Sequence, residues 1–247
     1  MSLIYDKIVI LSDIHGNLSA LEAVLDDVNS KYVPDAFVSL GDLVDYGMRS
    51  DEVIQILMRL DIPMIVNLQG NHEKAVLDSD LSCFSSDRGK QMLLYTKQHL
   101  SKESIYYIHN YMSTPSEVLN LFGKNILFVH GDIESPYWGK LTVDKMCNNR
   151  YYEYDYVISG HTHKPHMIEN FYETDAPDLR NQKKTIFINP GSVGQPRNQN
   201  PYAQYAYIEI SSGIIHLNAV RYDIIKEYSL FPMELDAFYK ERLLKGI

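Results

Sequence analysis

Short apolar runs that stop abruptly at aspartate, histidine or glycine punctuate the chain. Lys7 to Leu11 (Lys-Ile-Val-Ile-Leu) is nearly continuous in apolar residues and leads into Ser12-Asp13-Ile14-His15-Gly16-Asn17, the pattern of a strand buried on both faces that ends in a polar turn. Leu18, Leu21, Val24, Leu25 and Val28 then recur at helical spacing, with Asn17 able to cap the helix they predict. Pro34-Asp35 breaks the pattern, and Ala36 to Leu40 reads as a second strand ending at Gly41-Asp42. Ser50-Asp51-Glu52 opens a helix running to Leu60, and Ile62 to Leu68 returns as a third strand before Gly70-Asn71-His72-Glu73. This β-α-β-α-β order predicts parallel strands joined by right-handed crossovers, and ligands of such sheets gather outside the carboxyl ends of the strands.

The second half reads mostly as sheet. Residues 73–116 form a less regular helical cover beside the predicted ligand edge, broken by the polar stretch Ser79 to Asp87 and rich in tyrosine after Ser101. Val118 to Phe122 and Ile126 to Val129 predict a hairpin that ends at His130. A short helix over Val143 to Cys147 follows, then a strand over Tyr156 to Ser159 that runs into Gly160-His161-Thr162-His163, and another over Pro165 to Phe171. Glu173 to Lys184 is a polar hairpin excursion with no functional signal. Thr185 to Ile188 leads into Asn189-Pro190-Gly191-Ser192-Val193-Gly194. Ala203 to Ile210 and Gly213 to Arg221 alternate as an antiparallel pair, and Pro232 to Leu244 predicts a closing amphipathic helix.

With 247 residues and 45% hydrophobic composition, the chain suits a single α/β domain over residues 1–247. A net charge of −9 argues against a surface that tracks extended nucleic acid. It leaves room for a small phosphorylated substrate whose charge is offset locally by metal ions. Cys83 and Cys147 form no metal or disulfide pattern and are expected to be buried free thiols. No leader pattern or membrane-length apolar run is evident, so a cytoplasmic protein that engages no membrane is expected, with its oligomeric state open.

The strand-end residues carry the chemistry. Asp13, His15, Asp42, Asn71, His130, His161 and His163 offer carboxylate, amide and imidazole donors without thiolate, a set for two divalent transition-metal ions such as Mn, Fe, Zn or Ni. Strand-end Asp and His can also merely cap helices and bond to turns. Five of the nine histidines fall inside the ordered series, however, which chance scatter would rarely produce. A zincin reading of His72-Glu73 fails because position 76 is Val76. Two ions sharing one carboxylate would sit about 3.5–4 Å apart, able to clamp the attacking and leaving oxygens of a phosphoryl transfer.

Taken in order, Asp13-x-His15, Gly41-Asp42, Gly70-Asn71-His72-Glu73, His130 and Gly160-His161-x-His163 resemble the motif series of the calcineurin-like metallophosphoesterases from residue 7 to about residue 200. The resemblance implies a four-layer α/β/β/α sandwich of two mixed sheets flanked by helices. It implies that Asp13, His15 and His163 hold one metal, that Asn71, His130 and His161 hold the other, and that Asp42 bridges them. His72 resembles the family's general acid and Asp45 its orienting carboxylate, with a hydroxide held between the metals as nucleophile.

Asn189 to Arg197 resembles a further signature of a bacterial and archaeal branch that acts on small phosphodiesters or phosphomonoesters, in which Arg197 would meet substrate phosphate. Arg197 as a plain surface charge is the competing reading, and Asn17 stands between helix cap and substrate contact. Protein Ser/Thr phosphatases of the superfamily carry Asp-Arg-Gly where this chain has Asp45-Tyr46-Gly47. That departure lowers the protein-phosphatase alternative, although Arg49 lies near enough in sequence to substitute. A catalytically silent, metal-binding interaction scaffold is the other alternative, disfavoured by the intact ligand series and His72.

Overall fold

Alternation along β1 (Lys7–Leu11) sorts its side chains between two cores: Ile8 and Ile10 face a second sheet, while Val9 and Leu11 face helices. The computed structural model, which describes residues 5–82, 84, 86–180 and 182–247, repeats this logic in the other sheet. In β5 (Lys124–Val129), Ile126 and Phe128 point to the inter-sheet core and Leu127 and Val129 point away from it. Each central strand is therefore apolar on both faces, which is why these runs read as continuous rather than alternating.

One sheet has the order β10 (Ile214–Val220), β9 (Ala203–Glu209), β1, β2 (Ala36–Ser39), β3 (Met64–Asn67), and the other β4 (Ser116–Leu121), β5, β6 (Tyr156–Ser159), β8 (Lys184–Asn189), β7 (His166–Phe171). In the first sheet β1, β2 and β3 run parallel, with β9 antiparallel to β1 and β10 antiparallel to β9; in the second β5, β6 and β8 run parallel, with β4 and β7 antiparallel at the two edges. The expected two mixed sheets flanked by helices are what the chain forms. α1 (Leu18–Lys31), α2 (Ser50–Leu57), α3 (Asn71–Asp78), α4 (Asp87–His99) and α5 (Lys102–Tyr111) pack on the first sheet. The outer face of the second has thinner cover, from α6 (Val143–Met146) and a 3-10 turn at Asn149–Tyr151.

Several boundaries differ from expectation. The helix from Ser50 stops at Leu57 and the third strand spans only Met64–Asn67: Asp61 and Ile62 bend, and Pro63 joins only through its carbonyl, which accepts the Phe37 N–H at 2.9 Å. A helix over Ile224–Ser229 (α7) has a capping signal that periodicity does not reveal: the Asp223 carboxylate accepts from the Lys226 N–H at 2.9 Å. The closing helix α8 (Phe238–Lys245) starts six residues later than expected, since Pro232 opens a turn closed by the Leu235 N–H at 3.3 Å. Cys147 is exposed, not buried, and Cys83 lies outside the described residues. Among the described residues no helix is long and apolar enough to cross a membrane.

Candidate metal centre

All the motif loops leave the sheets at carboxyl ends of parallel strands. β1, β2 and β3 deliver Asp13, Asp42 and Asn71, while β5 and β6 deliver His130, His161 and His163. The loops turn sharply: Asp13, His15, Asp42, Asp45, Tyr46, His161 and His163 are seven of the ten described non-glycine residues with positive φ. Such conformations cost of order 1–3 kcal/mol each and persist where surrounding bonds over-determine them. Here the Asp13 N–H donates to Gly41 O at 3.0 Å, the His15 N–H to Asp42 O at 2.9 Å, and the Gly194 N–H to Asp13 O at 3.1 Å.

The convergence yields two adjacent ligand clusters, Asp13–His15–Asp42–His163 and Asp42–His130–His161, with Asp42 common to both. Asp42 Oδ2 lies 3.3 Å from His130 Nε2 and 3.7 Å from His15 Nε2, while Oδ1 accepts the His72 N–H at 3.0 Å. Asn71 Oδ1 sits 3.1 Å from His130 Nε2 and 3.0 Å from His161 Nδ1. The seven expected ligands are thus brought together.

Their donor chemistry fits a cation. His15 Nδ1 contacts Val44 O at 3.0 Å, His130 Nδ1 contacts Leu40 O at 2.8 Å, and His163 Nδ1 contacts Gln195 O at 2.6 Å. A carbonyl only accepts, so each Nδ1 carries the hydrogen and each Nε2 can turn a lone pair inward. His15 and His163 Nε2 face each other at 3.3 Å. The buried Asp13 Oδ1 has no hydrogen-bond partner. Opposed acceptors beside an orphaned carboxylate oxygen are unfavourable until a positive ion satisfies them.

The electrostatics point the same way. Burial works to raise the Asp13 carboxyl, yet His163 at 3.2 Å outweighs it and holds the group well below the usual carboxylate range. Burial drives His15 well below its ordinary value, lowers His163 with help from the Arg197 charge, and takes His161 to about 4. These three are neutral donors near pH 7, the form that binds metal. His130 differs: burial pushes it down, but the Asp42 carboxylate lifts it to about 9, so proton and cation compete for one lone pair.

His72 is placed for proton transfer beside the clusters. Its Nδ1–H donates to Asp45 Oδ2 at 2.7 Å, and the Thr96 hydroxyl fixes Asp45 Oδ1 at 3.1 Å. Burial works to lower the His72 imidazole, but Asp42 and Asp45 together raise it. The other ring nitrogen, Nε2, lies 4.0 Å from Asp42 Oδ2, on the side where the clusters meet.

Some residues inside the motifs have structural roles that the sequence left unassigned. The buried Glu73 carboxylate accepts four backbone N–H groups, from Gly70, Asp42, Leu43 and Val44, at 2.7 to 3.1 Å. It staples the second and third motif loops together, and burial with the Asp42 charge beside it raises it to about 7. Gly70 has to be glycine, because a Cβ there would lie 2.1 Å from Asp42 Oδ1. Tyr46 packs on His15 and His72 with ring centroids 4.6 and 4.5 Å away. In the Asn189-to-Gly194 loop, the Asn189 amide donates to Gly160 O at 2.8 Å and the Ser192 hydroxyl to Asp13 O at 2.7 Å, clamping the first and fifth motif loops. The density of Asn, Ser and Gly there was the available hint.

Asn17 is corrected as a substrate contact. Its Oδ1 accepts the Ala20 N–H at 3.1 Å, and its amide donates to Gly194 O at 2.8 Å and the Tyr222 hydroxyl at 3.1 Å, so the buried side chain is spent on capping α1 and tying the loops. Arg49 pairs with the buried Glu227 and is not available as a substitute phosphate grip. Arg197 donates its backbone N–H to His163 O at 3.1 Å, and its charge acts on both His163 and Tyr46.

A double-sheet sandwich whose strand ends join Asp, Asn and His into two ligand clusters sharing a carboxylate defines a metallophosphoesterase fold. Residues 7–213 match the calcineurin-like phosphoesterase superfamily domain, and the chain belongs to that family. It is 30% identical over 249 residues to the uncharacterized protein MJ0912 of Methanocaldococcus jannaschii, covering 99% of this chain and 100% of that protein. Among solved structures it is similar to a metallophosphoesterase from Sphaerobacter thermophilus, with a TM-score of 0.77, 27% identity, and 98% and 100% of the two chains covered. The fold is also shared with the hypothetical protein PH1004 from Pyrococcus horikoshii OT3, at a TM-score of 0.81, 21% identity and 99% coverage of both chains.

Proposed function

We propose that this chain is a dinuclear-metal phosphoesterase that hydrolyses small phosphodiesters, phosphomonoesters or both. The observation that carries the reading is Asp42, one buried carboxylate common to both ligand clusters. Asp13, His15 and His163 would hold one ion, Asn71, His130 and His161 the other, and Asp42 both. Bound there, two ions such as Mn, Fe, Zn or Ni would polarise a phosphoryl oxygen and lower the pKa of water.

The chain's own residues supply the proton. His72, raised by Asp42 and Asp45, keeps a protonated fraction at neutral pH and donates from Nε2 to the leaving oxygen. Asp45 orients the ring through the 2.7 Å bond to Nδ1, and Thr96 orients Asp45 in turn. No covalent enzyme intermediate is required. The exposed free thiol of Cys147 suits a reducing compartment, which supports a cytoplasmic site of action.

The test is reconstitution of chelator-stripped protein with Mn, Fe, Zn or Ni, followed by assay on aryl phosphomonoesters, aryl phosphodiesters and a phosphopeptide. Metal-dependent release of the aryl group is expected. Full metal occupancy with no turnover on any ester would favour the silent scaffold. Efficient dephosphorylation of the phosphopeptide alone would favour a protein phosphatase.

A further inference from the structure

Arginines are sparse in this acidic chain. Arg49 shows the ordinary arrangement, its guanidinium answered by the buried Glu227 carboxylate. A different arrangement stands beside the candidate metal centre. Arg88 on α4 and Arg242 on α8 both lie against the Phe238 ring, 3.9 and 5.1 Å from its centroid. Arg197 joins them from the loop between β8 and β9, which is tied to the end of α8 by the Gln199 N–H donating to Gly246 O at 2.7 Å.

Among the described residues none of these three arginines pairs with an aspartate or glutamate. Arg197 reaches only Gln195 Oε1, at 3.5 Å, and its buried Nε has no hydrogen-bond partner. Arg242 donates its Nε to a main-chain oxygen of Ile247, the last residue of the chain, and its terminal nitrogens make no hydrogen bond. The helix that carries Arg242 is fixed over the centre by a chain of rings. Tyr239 stacks on Tyr46 at 4.5 Å and 20°, and Tyr46 packs in turn on His15 and His72. Tyr239 and Leu243 anchor α8 on Met92 of α4.

We propose that Arg88, Arg197 and Arg242 form an anion subsite beside the metal centre that takes a second phosphoryl group of the substrate. The inference rests on the phosphoesterase reading and narrows it: the substrates are phosphoesters that carry a further phosphate away from the bond being cleaved. Three guanidiniums gathered with no acidic side chain among them repel one another: burial first, and then the Arg197 and Arg88 charges, lower Arg242 to about 10 against the opposing effect of the Tyr46 and Tyr239 phenols. An anion between them removes the repulsion and satisfies the idle donors. A planar fork suits phosphate oxygens, and a phosphate gripped by several such forks is oriented as well as bound.

The experiment uses a matched pair of para-nitrophenyl phosphodiesters, one ending in a phosphate on its second arm and the other in a hydroxyl. Wild-type protein, metal-loaded, is expected to prefer the phosphorylated ester, and Arg88→Gln or Arg242→Gln to reduce that preference in kcat/KM by about tenfold or more, mainly through KM. Arg180→Gln, on the exposed turn between β7 and β8, is the charge control and leaves the preference unchanged. A second readout needs no turnover: inorganic pyrophosphate should raise the thermal midpoint of chelator-treated wild-type protein and not that of the Arg88→Gln and Arg242→Gln variants. Circular dichroism identifies a variant that fails to fold, and the two substitutions lie on separate helices. A preference within twofold of wild type in both variants, with equal pyrophosphate stabilisation, overturns the subsite. If neither ester is cleaved, the phosphoesterase reading fails instead, and the pyrophosphate shift decides the subsite alone.

Discussion

The two sheets contribute unequally to one centre. The loops after β1, β2 and β3 bring every acidic ligand, Asp13 and Asp42, together with the amide of Asn71 and the His72–Asp45 pair. The loops after β5 and β6 bring imidazoles alone, His130, His161 and His163. The first sheet therefore supplies the negative charge that draws cations in, along with the His15 imidazole, and the second supplies imidazoles only, of which His161 and His163 are held neutral while Asp42 lifts His130. Holding charge in a buried place needs more scaffolding. Glu73 with its four backbone donors, Gly70 and the Tyr46 ring all belong to the acidic side, whereas the imidazole side is held largely by carbonyl acceptors and the Asn189-to-Gly194 loop.

This asymmetry can be broken deliberately. Asp42→Asn removes the charge that both clusters share. Metal content should fall in both positions and hydrolysis by about 10³-fold or more, whereas His161→Asn on the imidazole side should cost one ion and leave the other; elemental analysis beside an aryl ester assay separates these outcomes. His72→Asn should lower kcat by about 10²- to 10⁴-fold with metal content intact. That loss should shrink for a leaving group already stable as an anion, which needs no proton; a series of aryl esters of graded leaving-group acidity reads it directly.

Glu73→Gln leaves four backbone donors facing an amide that can accept through only one oxygen, and chemical denaturation should show a loss of about 1–3 kcal/mol. The smallest expected effect lies away from the centre. Burial works to raise the Asp51 carboxyl, but hydrogen bonds from Ser104 and Ser101 together outweigh it and lower the group. Its folded-state value is depressed, so its contribution is present above the ordinary value of 3.8 and lost as pH falls through the folded-state value. Asp51→Asn should flatten the acid limb of a thermal-midpoint profile by a small margin.

The contrast also explains what could be read in advance. The parallel strands and the ligand series were legible because apolar runs ending at Asp, His and Gly combine two strong signals, a buried strand and a polar turn at its carboxyl end. Even so, Ile62 and Pro63 fell outside the strand they seemed to begin, as a prolyl residue cannot donate to the ladder. Glu73 was visible as the last residue of the third motif, but its role was hidden because a carboxylate that serves backbone groups has the same one-letter signature as a surface helix residue. Arg197 drew attention through its motif. Arg88 and Arg242 did not, since their meeting depends on how α4 and α8 pack through Phe238, and short-range periodicity carries no record of that. The late start of α8 is a local matter: Asp236 accepts the Phe238 N–H at 2.8 Å, a turn just before the helix that competes with the longer apolar pattern.

Metal stoichiometry bears most directly on the central claim that one carboxylate joins two ligand clusters into a single working centre. Chelator-stripped protein dialysed against manganese and analysed for bound metal should hold two ions per chain, one for each cluster. Asp42→Asn, folded by circular dichroism, should retain at most one weakly held ion. One ion in the wild-type protein, or two tightly held in Asp42→Asn, would contradict the account.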